Sequence, residues 1–356
     1  VEWETEVNKP AYVVPSMLDV QKIKGTNGFN TVSLFSGCGG SCLGFEMAGY
    51  KPLFASEFIP EAQTTYRLNH DDVHLDGRDI RLLQPQDIFD AIGTDQIDVL
   101  EGSPPCSSFS QSGKGDKGWG DVSLYSDAKQ RTDDLFFEFI RIVKGTQPKV
   151  FVAENVKGLV TGSGKGYFKM ILQAMKDAGY QVQAQLLDAS LLGVPQKRNR
   201  IIFIGVRNDL NLQPVFPKPF GYQYSIGEVI TDNPSYIDDE TKEPIDFTAN
   251  AIYEAYMNLK EGTGCLRKYY NLVRPSMSQP VPTITATGGL RGAAAVKHPI
   301  YPRAFNLEEV RLLSGFPADF QLTGSFKQRY ERIGRAVPPL MMKAIAETIC
   351  NEILTK

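Results

Sequence analysis

Through about residue 207 the chain alternates short apolar runs with segments of helical period, and this constrains its fold more than any other feature. TVSLF (31–35), KPLFASE (51–57), IDVLEG (97–102), KVFVAENV (149–156), QVQAQLLDA (181–189) and RNRIIFIGVR (198–207) have the length and β-branched content of strands. Between them, SCLGFEMAGY, PEAQTTYRLNH, TDDLFFEFIRIVKG and GYFKMILQAMKDAGY place apolar residues at helical spacing, several opening on Pro or closing on Gly. Strands alternating with helices predict an α/β fold around a mostly parallel sheet.

The alternation then fails. NPSYIDDETKEPIDFT is polar and acidic, and PTITATGGLRGAAAV is β-branched and then glycine-rich. Three segments are expected: a main domain over 1–206, a small domain over 207–299, and a helical segment over 300–356 that packs back onto the main sheet. The last includes the helix PPLMMKAIAETICNEIL (338–354). Composition narrows the class. No uncharged apolar run is long enough to cross a bilayer, and VEWETEVNKP lacks the apolar centre of a signal peptide. Five cysteines without paired metal-ligand spacing point to free thiols in a reducing compartment and to no metal centre. The net charge of -3 means that any basic footprint for nucleic acid must be local.

Six short stretches carry candidate chemistry, and each has a plainer alternative. FSGCGG (35–40) follows a strand and opens a helix, where small residues let backbone N–H groups approach a ligand. Glu57 ends the next strand about 20 residues on, where an acid accepts from ribose hydroxyls. Together they predict a nucleoside-type cofactor; alone, the glycines make only a tight turn. Asp79 and Ile80 are expected at the end of a third strand, as an acceptor and an apolar wall for adenine, or else as a surface acid beside a core residue. In SPPC (103–106) two prolines fix the backbone before Cys106, a nucleophile if its thiol is activated and otherwise a small buried hydrophobe. Glu154 in ENV is either an acid at the cleft or a helix-capping or salt-bridged residue. Arg198 and Arg200, two apart at a strand start, share a face and suit an anionic or carbonyl ligand, or line a solvated edge.

The order of these stretches resembles that of the cytosine-C5 DNA methyltransferase family, from Phe35 to the closing helix. RPSMSQPVPTITATGG (274–289), FNLEEVRLLSGFP and RYERIGRAVPPL fit its later motifs. The resemblance implies a Rossmann-like S-adenosylmethionine-dependent methyltransferase fold with a small target-recognition domain. It implies that Phe35, Gly37, Cys38, Gly39 and Gly40 line the methionine and ribose end of S-adenosylmethionine. Glu57 would take the ribose hydroxyls, Phe58 would face adenine, and Asp79, Ile80, Pro105 and Leu135 would complete the pocket. Cys106 would attack carbon 6 of a cytosine flipped from the duplex, Glu154 would donate to N3, and Arg198 and Arg200 would hold O2 and the ring. Ser110, Ser112, Lys114, Lys117 and Arg131 in the Gly- and Lys-rich loop would meet DNA. Arg267, Lys268, Arg274 and Arg291 would do so from the recognition domain.

The implied partner is double-stranded DNA, with a cognate restriction endonuclease in the same system. The implied setting is a monomer on DNA, in the bacterial cytoplasm at the nucleoid. Two positions depart from the family pattern: Ser107 stands where Gln is usual and Arg335 where Asn is usual. The loop is longer than in compact members, and the recognition region is short and acidic. Two competing readings are a tRNA cytosine-C5 methyltransferase and an inactive DNA-binding relative. The chain lacks the Cys-Phe-Thr signature of the first, and its retention of Cys106 and Glu154 argues against the second.

Overall fold

A computed structural model describes residues 8–105, 123–125, 128–130, 134–160, 164–266 and 268–356. The chain forms two compact units. The sheet unit comprises Val20–Leu187, Asn199–Pro217 and Met342–Lys356, and the second unit comprises Val1–Asp19, Asp188–Arg198 and Lys218–Met341.

In chain order the sheet unit contains β1 (Asn30–Leu34), α1 (Gly40–Met47), β2 (Lys51–Ser56), α2 (Pro60–Asn69), β3 (His74–Asp76) and α3 (Pro85–Ile92). There follow β4 (Val99–Gly102), α4 (Leu135–Thr146), β5 (Val150–Val156), α5 (Gly164–Asp177), β6 (Tyr180–Asp188, whose last residue lies at the unit boundary) and β7 (Asn199–Arg207). The seven strands lie in the order β3-β2-β1-β4-β5-β7-β6. Pairings among β1 to β5 are parallel, and β7 runs antiparallel to β5. The expected α/β sheet is therefore present, with β7 reversed relative to β5. From β1 the chain goes to β2 on one side, while β4 pairs on the other. That is a topological switch point, and the carboxyl ends of β1 and β4 there are where ligands bind in such sheets.

The two faces of the sheet differ. On one, Leu34, Leu100, Phe151 and Phe203 meet Phe139 of α4 and Ile171 of α5 in a single apolar core. Burying each Phe contributes about 2–3 kcal/mol. On the other, Ser33, Glu101 and Glu154 bring polar groups to the carboxyl edge, and all three are buried. Alternation along a strand separates the sets. The C-terminal helix contributes Ala346, whose carbonyl accepts from Tyr50 Oη at 3.0 Å.

Asp79 and Ile80 do not end β3 as expected. The strand stops at Asp76, whose carboxylate turns the chain by accepting from the Arg78 N–H at 2.8 Å and from its guanidinium. Asp79 and Ile80 lie in the turn that follows.

The second unit has its own core of Phe247, Ile252, Tyr256 and Leu272. Its helices are α6 (Tyr253–Met257), α7 (Leu307–Leu313) and α8 (Phe326–Arg335), with α9 (Pro339–Ile349) crossing into the sheet unit at Met342. Fully buried Arg303 forms a bidentate pair with Glu309, both contacts 2.8 Å. The two units are not divided at the expected 206/207 and 299/300: α7 and α8 group with residues 218–299 rather than with the sheet. The acidic stretch supplies the reason. Asp238 accepts from Leu307 N–H at 3.0 Å at the start of α7, and Glu243 accepts from Phe326 N–H at 3.0 Å at the start of α8. Glu240 pairs with Arg311. Carboxylates at helix N-termini satisfy otherwise unpaired donors and meet the positive end of the helix dipole.

Gly205 of β7 lies opposite Phe151 of β5, and a Cβ there would sit 2.0 Å from the Phe151 ring. Gly205→Ala should therefore destabilise the protein by about 1–3 kcal/mol through overpacking. Urea unfolding of the two proteins checks this.

Candidate active site

Parallel register brings Glu57 to the glycine turn. Leu34 of β1 lies opposite Ser56 of β2, so the residues that follow each strand emerge side by side. Ser36 N–H extends the ladder to Ser56 O at 3.0 Å. Phe35 then adopts φ 55°, a left-handed conformation that costs a non-glycine residue about 1–3 kcal/mol. Strain of this kind persists where the surroundings impose it, commonly at ligand sites. Gly39 has φ 93°, and a Cβ there would lie 2.2 Å from His70 Nε2. Only glycine fits between the turn and the histidine beneath it. Gly40 opens α1, and Cys38 is buried beside it.

The Glu57 carboxylate is pinned at the turn. Gly37 N–H donates to one oxygen and Ile59 N–H to the other, each at 2.7 Å. Phe58, the next residue, is 38% exposed, an open ring beside a buried acid. Asp79 accepts from Arg81, which also pairs with Asp134. Ile80 and Leu135 are buried in the same apolar cluster. The chemistry of this donor set fits a nucleoside: a fixed carboxylate for vicinal hydroxyls, an exposed ring for a base, and an apolar wall.

The other end of the site is built on β4 and β5. Asn155 Nδ2 donates to Pro104 O at 3.1 Å, which ties the proline segment to ENV. Pro105 follows, half-buried. Cys106 lies outside the described residues. Glu154 pairs with Arg200, Nε to Oε1 at 2.5 Å. Register explains the pair: Glu154 faces Ile202 and Val156 faces Arg200, so the two ionic side chains meet diagonally on one face.

Arg198 does not share that strand face with Arg200. Residues 196–197 pair with Val281–Pro282 of the second unit, Arg198 falls at the break, and β7 begins at Asn199. Buried Arg198 donates to the carbonyls of Ile284, Gly334 and Ala336 at 3.1, 3.1 and 2.9 Å. The structure thus gives it the work of holding backbone within the second unit.

Beneath the glycine turn lies a buried polar layer that the sequence reading missed. Ser41 Oγ of α1 donates to Glu101 at 2.6 Å. Glu46 accepts from Lys24 at 2.9 Å and meets His70 Nδ1 at 3.0 Å. Burial raises the proton affinity of Glu46, but His70 and Lys24 overcome it and hold the carboxyl below its usual range. Cys42, Glu46 and His70 bring a sulfur, a carboxylate and an imidazole within 4.8 Å of one another. Burial pushes the Cys42 thiol well up, and the thiol meets Tyr66 Oη at 3.1 Å, so these groups read as an internally paired network. The available signal was an acid inside the apolar run IDVLEG.

Of the residues expected at DNA, Ser110, Ser112, Lys114, Lys117, Arg131 and Arg267 lie outside the described residues. Lys268 is exposed, 5.1 Å from the Tyr269 ring. Arg274 donates to Pro299 O and Leu259 O, and Arg291 donates to Asp246 O, so both brace the second unit's own loops. Arg335 pairs with Glu331 one turn away at 2.8 Å.

A family model described as C-5 cytosine-specific DNA methylase matches residues 29–351. The chain is 32% identical to the type II methyltransferase M1.HphI of Haemophilus parahaemolyticus, over 89% of this chain and 86% of that protein. It is also 32% identical to the type II methyltransferase M.NgoPII of Neisseria gonorrhoeae, over 91% and 96%. Among solved structures, a prophage-encoded protein of Escherichia coli matches with a TM-score of 0.72 at 23% identity, covering 92% of this chain and all of that one. DNMT2 of Spodoptera frugiperda matches at 0.66 and 20%, with 92% of this chain covered. At these identities the structural likeness speaks for the fold. No helix among the described residues is long and apolar enough to cross a membrane.

Glu101 gives a pH signature. Burial pushes its carboxyl up to about 7; the Ser33 and Ser41 hydroxyls oppose this, nearby Glu154 adds to it, and His70 opposes it. An unfolded Glu ionises near pH ~4.3. The unfolded state therefore loses this proton first, and the contribution of Glu101 to stability falls as pH rises from about 4.3 to about 7. Glu101→Gln should remove that fall and leave the protein more stable at about pH 8 by up to ~3 kcal/mol. Denaturant unfolding on either side of the window measures it.

Proposed function

The chain belongs to the C-5 cytosine-specific DNA methylase family and is a DNA cytosine methyltransferase, and on that premise we propose that it methylates carbon 5 of a cytosine flipped out of a short duplex sequence. The observation that carries this reading is the Glu57 carboxylate pinned at the strained glycine turn while Glu154, paired with Arg200, stands at the end of neighbouring β5. The first arrangement suits the donor, and the second suits the base.

S-adenosylmethionine, leaving as S-adenosylhomocysteine, supplies an electrophilic methyl group when bound. Phe35, Gly37, Cys38, Gly39 and Gly40 line its methionine and ribose end, Glu57 accepts from its hydroxyls, and Phe58, Asp79, Ile80, Pro105 and Leu135 enclose its adenine. Carbon 5 of cytosine is a weak nucleophile. The Cys106 thiolate adds to carbon 6, and the electron pair of the ring double bond becomes available at carbon 5. Charge that would build on N3 is met by a proton from Glu154. Arg200 orients that carboxyl. Once carbon 5 carries the methyl group, its proton leaves to a base, the double bond reforms, the Cys106–carbon 6 bond breaks with its electron pair returning to sulfur, and N3 gives its proton back to Glu154. Asn155 supports this chemistry by holding the carbonyl of Pro104, two residues before the thiol.

The substrate we propose is double-stranded DNA, bound by the monomer through Ser110, Ser112, Lys114, Lys117 and Arg131 and through Arg267 and Lys268. Likeness to type II enzymes supports a place beside a cognate restriction endonuclease, at the nucleoid of the bacterial cytoplasm.

Labelled methyl from S-adenosylmethionine should appear in duplex DNA as 5-methylcytosine and not in pooled tRNA. Cys106→Ser should abolish transfer while donor binding survives, and retained turnover would remove Cys106 from the reaction. Glu57→Ala should weaken donor binding at least about tenfold, the loss expected for one charge-assisted hydrogen bond, with little change in unfolding. Calorimetric titration reads the first and denaturant the second.

A further inference from the structure

Resting on the donor pocket proposed above, in which Asp79 meets the adenine, we infer that Arg81 is the positioning residue for that contact. Its guanidinium fixes the Asp79 carboxylate against Asp134, at the start of α4, and so gives the site its preference for a purine with an amino group at carbon 6. Arg81 touches no substrate and acts only through Asp79.

The hydrogen bonds carry the inference. Arg81 Nη1 donates to Oδ1 and Oδ2 of Asp79 at 3.2 and 3.0 Å, and the Arg81 backbone N–H donates to Oδ1 at 3.0 Å. The rest of the guanidinium turns to Asp134: Nη2 donates to Oδ1 at 2.7 Å and Nε to Oδ2 at 3.2 Å. The Asp134 contact is the two-bond fork by which an arginine holds a carboxylate in one defined geometry. Arg81 is therefore a strut with a fixed far end rather than a loose neighbour of Asp79.

Asp134 forgoes its ordinary role to make this contact. It is the N-cap of α4, where an Asp side chain usually accepts from first-turn N–H groups, and it makes no such bond. About two turns further along α4, Arg141 donates to the carbonyls of Ile80 and Leu83 at 2.9 and 2.8 Å. One helix thus grips the turn at two points, through the Asp79 side chain and through the backbone. Leu135, next to Asp134, is buried in the same apolar cluster as Ile80. The polar acceptor and the apolar wall expected for adenine are tied to one element.

Stability alone does not explain the arrangement. The side chains of Asp79, Arg81 and Asp134 are 28%, 29% and 36% exposed, and ion pairs this open to water contribute little to folding. What they contribute is direction. A carboxylate free to rotate swings away from a carbonyl placed opposite it and discriminates weakly. Held by Arg81, it accepts from an amino group at carbon 6 and opposes an oxygen there.

The test is calorimetric titration of the full chain with S-adenosylhomocysteine and with S-inosylhomocysteine, which carries oxygen in place of that amino group. Wild type should bind the first at least about tenfold more tightly. In Arg81→Met, S-adenosylhomocysteine should weaken about tenfold and the two ligands should come within about threefold of each other. The urea midpoint should barely move. Methyl transfer to duplex DNA should show the same split: KM for S-adenosylmethionine rises, and kcat stays within about twofold of wild type. Asp134→Asn loosens the strut at its far end, so it should reduce the preference by less. It also serves as the test if Arg81→Met does not fold. Preference retained in both variants, equal weakening of both ligands, or tighter binding of S-adenosylhomocysteine to Arg81→Met would overturn the inference. Asp79→Asn, whose amide offers either a donor or an acceptor, separates the two claims. Preference lost there but kept in Arg81→Met would leave the pocket and remove Arg81. A wild type without preference, or a preference untouched by Asp79→Asn, would remove Asp79 from the adenine and Arg81 with it.

Discussion

The antiparallel seam between β5 and β7 is the contact on which the site depends. It places Arg200 diagonally across from Glu154 and seats Gly205 over Phe151. A slip of one residue would turn Glu154 into the apolar face and carry Phe151 out of the core. The Phe151–Gly205 fit opposes that slip: a large ring opposite no side chain defines one register. The Glu154–Arg200 ion pair is not itself strong evidence of stability, because desolvation offsets much of its Coulomb energy. Its value is geometric, since it fixes the orientation of an acid.

The opposite half of the edge works by parallel pairing. β1 and β2 run in step, so the strained turn after β1 meets Glu57 after β2, and two backbone N–H groups hold the carboxylate. β4 sits between the halves and ends in the proline segment before Cys106. The switch point thus brings the strained turn, the proline segment and Glu154 to neighbouring strand ends. The buried layer of Ser41, Glu46, His70 and Glu101 supports them from below. Its groups are linked by hydrogen bonds and charge, so changing one is felt by the others.

The expectations that held were those tied to local pattern. Six of the seven sheet strands were legible from apolar runs, and the order of short motifs identified the family. Glu57 was legible because strand–turn–helix spacing determines where it emerges. What escaped the sequence depended on tertiary partners. Arg198 and Arg200 look alike in QKRNR, but a break between two ladders sends them to different units. The acids at 238, 240 and 243 look like a solvated run until α7 and α8 come to meet them. The segment 300–356 reads as one helical block, although α7 and α8 stay with the second unit and α9 crosses between units. Glu101 sits in an apolar run where a strand reading treats it as an end residue, and only the cross-strand register reveals Glu154 as its neighbour.

The most direct test uses duplex DNA containing 5-fluorocytosine. Fluorine at carbon 5 cannot leave as a proton does, so a covalent route must stall after methyl transfer with the thiol still bonded to carbon 6. The account predicts a stable one-to-one protein–DNA adduct, formed only with S-adenosylmethionine present, with the modified residue mapped by mass spectrometry to Cys106 and the adduct absent in Cys106→Ser. Methylation of ordinary duplex DNA with no adduct on the fluorinated duplex, or an adduct mapped to another residue, would contradict it.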